Sequence, residues 1–388
     1  MTTQPTSAGT APGMIALDRH DLTAVPRSAM QPRWQDGDAP LPTFYIGHGF
    51  PGLLDDGLWM SELFEWAVSL PKPKGIVIVS AHWEQAPTMI TAPAAGTPLV
   101  YDFGGFEERF YQLQYATPDA TELGRRIAAT MPDDEPLYQH RMRGLDHGAW
   151  VPLSLMYPAA DVPVAQLSIL RDGGPADHLA LGEAVRPLRD SGVLVLASGS
   201  ATHNLYEFRS FGYDSAPPGW VSEFGDWVAG AVSYGRTAEL LDYRRLAPSA
   251  ERNHPTEEHL LPLYVAMGAG GDSADFSELP VWSAAGDLAA GTVLTGGDLA
   301  PAGLRTLGDD DLHLRGGRRE DFPHRDPVAL VRQTLERPRD ERDRKDPEGI
   351  ERAGKRIDIR EHQRREHQHR GDAVDEGHER FALVTVPW

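Results

Sequence analysis

Six histidines stand where the chain is expected to turn, and imidazole is the side chain best suited to hold a metal or move a proton near pH 7. His48 lies between Gly47 and Gly49. His82 closes the apolar run Ile76-Val77-Ile78-Val79 through Ser80 and Ala81. His147 follows Asp146 in GLDHGAW, and His203 lies in the small-residue turn GSATHN. His254 and His259 bracket Pro-Thr-Glu-Glu. Brought together from separate strand ends and one helix, His48, His82, His203 and His259 can converge on a divalent ion, with His147 and His254 nearby. Two histidines with a carboxylate from Glu257 or Glu258 make an open iron site with positions left for a substrate and dioxygen. A closed set of four histidines is the zinc arrangement. Each residue also has a plainer reading. A strand-end histidine can simply hydrogen-bond the next loop. Asp146 can orient His147 and raise its pKa, or only cap a helix. Recurrence at three strand ends favours a site.

The elements that must position these residues follow from the apolar pattern. Pro42–Ile46, Ile76–Val79, Val162–Ile169 and Val193–Ser198 are short apolar runs, as expected of strands covered on both faces. Leu58–Leu70 has helical spacing and ends at Pro71 and Pro73. It lies between the strands that end at His48 and His82. If those strands are parallel, one βαβ unit places both imidazoles at the same sheet edge, where open α/β sheets bind ligands. Helices are expected over 119–131, from His147 to Met156, over 178–191, 220–232 and 237–243. Another should begin at Pro255, with His254 at its mouth and His259 inside, kink at Pro262 and end near Gly268. On a regular helix those two histidines would point about 140° apart and would not share one ion. Tyr101, Phe103, Phe106, Phe110 and Tyr111 can wall an apolar pocket or fill the core beneath a loop. The expected fold is α/β, a central mixed sheet flanked by helices with the metal at the strand-end edge.

Composition narrows the class. The net charge is −20, which argues against a general nucleic-acid binder. No apolar run is long enough to span a membrane, and no secretory signal opens the chain. With no cysteine there is neither a disulfide framework nor a thiolate metal site, which fits the cytoplasm. No signal sets an oligomeric state. Residues 1–40 read as a disordered leader, 41–270 as the catalytic domain, and 271–388 as a charged tail of low hydrophobicity, disordered or aberrant. His362, His367 and His369 in that tail read as solvated rather than metal-binding. Its abrupt Arg- and His-rich composition resembles coding sequence of high G+C content read in a shifted frame, an expectation that an intact frame on resequencing would refute.

The pieces GHGFP, VIVSAHW, YDFGGF, DHGAW, SGSATHNL and HPTEEHLLPLYVAMGA, in this order, resemble the class III extradiol ring-cleavage dioxygenases, and among them the DOPA-4,5-dioxygenase type. The resemblance covers roughly Pro42 to Gly270. It implies cleavage of a small DOPA-like catechol by dioxygen to a muconic semialdehyde. Fe(II) would be the working metal, and Zn(II) could fill the site in isolated protein. By resemblance His48, His82 and His259 are metal ligands. His203 matches a position held as a further ligand or as the acid–base histidine. His147 and His254 match substrate-pocket histidines, and His147 shares the catalytic role. Phe50 stands where the family often has Ser. A last strand usual in the family is not recognisable. Two other functions use the same residues, a non-catalytic zinc- or ligand-binding protein on this scaffold and a zinc hydrolase.

Overall fold

A computed structural model describes residues 16–133, 135, 137–208, 217–271 and two strands at 277–280 and 292–296. Its centre is a mixed sheet. The strands are β1 (Thr43–Gly47), β2 (Gly75–Gln85), β3 (Met89–Ile90), β4 (Tyr138–Gln139), β5 (Val164–Leu170), β6 (Val193–Gly199), β7 (Ser277–Pro280) and β8 (Thr292–Gly296). They lie in the order β4-β3-β5-β2-β6-β1-β8-β7. β5, β2, β6 and β1 run parallel, while β3 pairs antiparallel with β5, and β8 with β1.

The parallel strands are apolar on both sides because both sides are covered. Ile76 and Ile78 of β2 join Leu194 and Leu196 of β6 and Phe44 and Ile46 of β1 in one core. Val77 and Val79 join Val193, Val195 and Ala197 in the other. The first core is closed by α1 (Ala16–Met30), α2 (Gly57–Ser69) and, after α3 (Thr121–Ala128), by α4 (His147–Met156). The second is closed mainly by α5 (Pro175–Val185), by α7 (Gly219–Ser233), which follows the single turn α6 (Leu205–Phe208), and by α11 (Leu261–Gly270). Three short helices, α8 (Thr237–Leu241), α9 (Tyr243–Leu246) and α10 (Ala250–Asn253), lead into α11. β1, α2 and β2 form the expected crossover, with β6 between the two strands.

Three expectations change. The leader over 1–40 carries α1, whose Leu17 and Ala24 are buried, and Trp34 behind it is buried too. Mixed polar composition hid a helix that is held by packing rather than by propensity. The final helix begins at Leu261 rather than at Pro255, so His259 sits in the turn before it and His254 closes α10. Pro262 therefore lies in the first turn, where its missing N–H costs no bond and causes no kink. The sheet also extends past residue 270, where β8 lies antiparallel on β1. The remainder of 271–388, with His362, His367 and His369, lies outside the described residues. No described helix is long and apolar enough to cross a membrane.

Candidate metal centre

The parallel strands deliver their histidines to one edge. His48 is the first residue beyond β1, its backbone N–H bonded to the Gly199 carbonyl at the end of β6. Gly49 behind it has φ +58, a turn that glycine makes without strain. His82 lies inside β2 where the register with β5 shifts between Ser80 and Glu84. Such an irregularity re-aims the side chains it carries. His259 is fixed through its carbonyl, which accepts from Tyr45 Oη and from the Ser200 N–H, both at 2.9 Å. Gly148, near the start of α4, packs beneath the group. A Cβ there would run into Ser80 Oγ and crowd the rings of His82 and His48.

Three nitrogens meet at this edge. His82 Nε2 lies 2.8 Å from His48 Nε2 and 3.3 Å from His259 Nε2. The outer nitrogens decide what these inner ones carry. His48 Nδ1 is 2.9 Å from Ser198 Oγ, whose own proton goes to the Gly148 carbonyl, so His48 Nδ1 must be the donor. His259 Nδ1 faces the Glu258 carboxylate at 2.9 Å, and His82 Nδ1 faces Asp102 at 3.6 Å. A carboxylate only accepts, so His259 Nδ1 is a donor, while the Asp102 oxygen beside His82 lies beyond hydrogen-bond reach. His48 and His259 therefore turn bare Nε2 lone pairs toward His82 Nε2, an arrangement that a cation among the three nitrogens would satisfy. Ligands about 2.0–2.1 Å from an ion and about 90–110° apart are about 2.9–3.4 Å from each other, and these spacings fit that donor set. Burial and the neighbouring imidazoles hold His48 and His259 well below the ordinary histidine range. Burial, then His147, pushes His82 down to about 3. All three are thus the neutral imidazoles that a metal requires.

The other histidines take different places. His147 opens α4, its ring centroid 4.0 Å from that of His82. Its partner is Asp102, which accepts from His147 Nδ1 at 2.8 Å and from its backbone N–H at 3.0 Å. Burial works to raise Asp102, but the hydrogen bonds and charge of His147 outweigh it and hold the carboxyl below its usual value. Asp146 is the N-cap of α4 and accepts from the Ala149 N–H, and burial raises its pKa. Of the two roles open to it, the cap is the one present. Asp102 escaped the sequence reading because it is a lone acid in an aromatic stretch; only YDFGGF as a block marked it. His203 stacks flat on His259, centroids 3.4 Å apart and planes at 12°, with Nδ1 3.8 Å from Glu258. It stands beside the three-nitrogen cluster rather than in it, and burial lowers its pKa. Glu257 is turned away to Tyr243 and Arg244.

His254 is not brought to the cluster. It is 0% exposed and donates from Nε2 to the Ala201 carbonyl at 2.8 Å, under the loop that carries His203. Burial pushes it down to about 4. The turn over 255–260 separates it from His259. The aromatic stretch does reach the site. Phe103 packs its ring edge-on to His147 at 5.6 Å, Phe106 packs on Phe103 at 5.7 Å, and Phe50 stacks on Phe106 at 5.8 Å. Phe110 is core, and Tyr101 packs on Trp150.

The strand-end imidazoles make a donor set that could hold a divalent ion, and the comparisons name the class. The family profile for the catalytic LigB subunit of aromatic ring-opening dioxygenase matches residues 55–294. A 4,5-DOPA dioxygenase extradiol of Beta vulgaris is 40% identical over 239 residues, covering 60% of this chain and 88% of that protein. The protein of the same name from Escherichia coli K12 is 35% identical, over 59% of this chain and 85% of its own length. The crystal structure of an uncharacterized Escherichia coli K12 protein superposes with a TM-score of 0.55 at 28% identity, covering 66% of this chain and all of that one. The chain belongs to the LigB family of aromatic ring-opening dioxygenases. It is an oxidoreductase of the extradiol type.

Proposed function

We propose that this enzyme opens the ring of a small DOPA-like catechol with dioxygen, giving a muconic semialdehyde, and that Fe(II) is its working metal. The observation that carries the reading is the convergence of three imidazole nitrogens, with those of His48 and His259 within 3.3 Å of His82 Nε2. Those three residues would hold the ion. When bound, Fe(II) would supply the Lewis acidity that ionises a chelated catechol and a path by which the catecholate's electrons reach dioxygen.

The remaining roles belong to the chain itself. Asp102 holds the Nδ1–H of His147, which leaves Nε2 to take a catechol hydroxyl proton. His203, kept neutral by burial, is placed to take the second catechol proton and to return it as the ring opens. Its flat stacking on His259 supports that acid–base role over ligation, because its nitrogens lie in a plane parallel to the ring beneath. Phe103, Phe106 and Phe50 offer an apolar wall for the aromatic ring. His254 supports the His203 loop instead of touching substrate. Relatives named for 4,5-DOPA cleavage support L-DOPA as the first substrate to try. The absence of cysteine supports a reducing compartment such as the cytoplasm.

Metal dependence tests the reading. Chelator-stripped protein should be inactive toward L-DOPA, recover with Fe(II) under anaerobic loading, and stay inactive with Zn(II). Full activity in metal-free protein, or ester hydrolysis with Zn(II) and no oxygen demand, would overturn it.

A further inference from the structure

Two carboxylates flank the three-nitrogen cluster, and each lies between two histidines. Asp102 accepts from His147 Nδ1 at 2.8 Å and from the His147 backbone at 3.0 Å, while its other oxygen is 3.6 Å from His82 Nδ1. Glu258 Oε1 is 2.9 Å from His259 Nδ1 and 3.8 Å from His203 Nδ1, and it also accepts from Thr256 Oγ1 at 3.0 Å. Each therefore spans one histidine of the cluster and one beside it. The short contact falls on opposite members. Glu258 grips the cluster histidine, whereas Asp102 grips the one outside.

We propose that Asp102 and Glu258 are positioning residues with separate tasks: Glu258 fixes the ring of His259 for the metal, and Asp102 fixes the ring of His147 for the substrate. An acceptor at Nδ1 turns that nitrogen into the donor and leaves Nε2 bare. For His259 the bare nitrogen is the one beside His82. For His147 it is the nitrogen left to the catechol. Ser198 does the same for His48, with its own proton anchored on the Gly148 carbonyl. His82 has the weakest outer partner of the three, at 3.6 Å, and takes its orientation from the irregular register of β2 as well. The Asp102 half rests on the ring-cleavage reading. The Glu258 half rests only on a bound metal.

The test uses the full chain and two readouts. Co(II) alone is titrated into metal-free protein and followed by its visible absorption. Oxygen uptake with L-DOPA gives kcat and KM for Fe(II)-saturated protein. E258A should weaken Co(II) binding about 10- to 100-fold, the usual cost of losing an outer partner of a ligand. D102A should leave Co(II) affinity near that of the unaltered chain. It should instead lower kcat about 10- to 100-fold with a much smaller change in KM. E258Q and D102N keep an oxygen acceptor and should recover part of each loss. Serine at either position carries the comparison where an alanine variant does not fold. Nitrogen-15 spectra should show His147 protonated at Nδ1 in the unaltered chain and a tautomer mixture in D102A. Equal losses of Co(II) affinity in both variants, a reversed pattern, or an unchanged His147 tautomer would overturn the proposal. Were the unaltered chain to bind Co(II) yet consume no oxygen with any catechol, the ring-cleavage reading would fall. The Co(II) titration would still decide the Glu258 half, and the His147 tautomer the Asp102 half.

Discussion

At the scale of single residues, the site is a problem of lone pairs. His48 and His259 carry no proton on the nitrogens they turn to His82, because Ser198 and Glu258 draw the protons outward. Replacing His82 by Ala removes the nitrogen common to both short contacts. We expect H82A to lose tight Fe(II) binding and oxygen uptake by at least about two orders of magnitude, read by metal analysis and an oxygen electrode. H254A should spare Fe(II) binding, since its ring bonds only the Ala201 carbonyl. The histidines were legible because strand ends with small neighbours recur around them. Asp102 was not, because nothing local links an acid in YDFGGF to an imidazole that lies 45 residues away in sequence.

At the scale of elements, close approach is what brings the rings together. Gly148 lets α4 approach Ser80 and His82 of β2 and the ring of His48 just beyond β1. G148A should cost about 1–3 kcal/mol by overpacking, and lower Fe(II) affinity more than an alanine elsewhere on α4 would, measured by thermal melts and metal titration. The packing of α1 on α2 is expected to depend on pH. Burial, reinforced by Asp18, raises Asp21 to about 6, and burial, reinforced by Asp56, raises Glu62 to about 7. Both are acids with a folded pKa above the unfolded one. They cost nothing once protonated in both states, and their cost grows as pH rises from the unfolded values through 6 and 7. Burial lowers the pKa of nearby His20 as well. D21N and E62Q should therefore raise the melting temperature more at pH 8 than at pH 5, and a larger gain at pH 5 would contradict the assignment. α1 itself was hidden in the sequence. Its few buried residues, Leu17 and Ala24 among them, lie in a stretch whose composition reads as leader. The turn holding His259 was hidden too. The Pro and Glu that mark a helix start were present, but the turn over 255–260 precedes the helix, and its geometry depends on Tyr45 of β1 and on Ser200 just beyond β6.

At the scale of the whole molecule, the sheet is read easily and its edges are not. The parallel strands β5, β2, β6 and β1 are apolar on both faces and announce themselves, and the crossover through α2 follows from handedness. β7 and β8 lie among glycines, alanines and aspartates that carry no such pattern, yet β8 covers the edge of β1. A chain ending at residue 271 should lose stability and tend to self-associate, because it uncovers β1. A chain ending at residue 300 should keep both its melting temperature and its metal affinity. Calorimetry on the two truncations separates these outcomes, and equal stability would show that β8 contributes nothing. The same molecule-wide arrangement places every proposed site residue between His48 and His259, inside the span 55–294 that matches the family or just ahead of it. The most direct test is oxygen consumption by the Fe(II)-loaded protein supplied with L-DOPA, with protocatechuate and catechol for comparison. Stoichiometric uptake with a new visible absorbance from the opened ring is the result expected. A folded, iron-loaded protein that consumes no oxygen with any of the three would contradict the assignment.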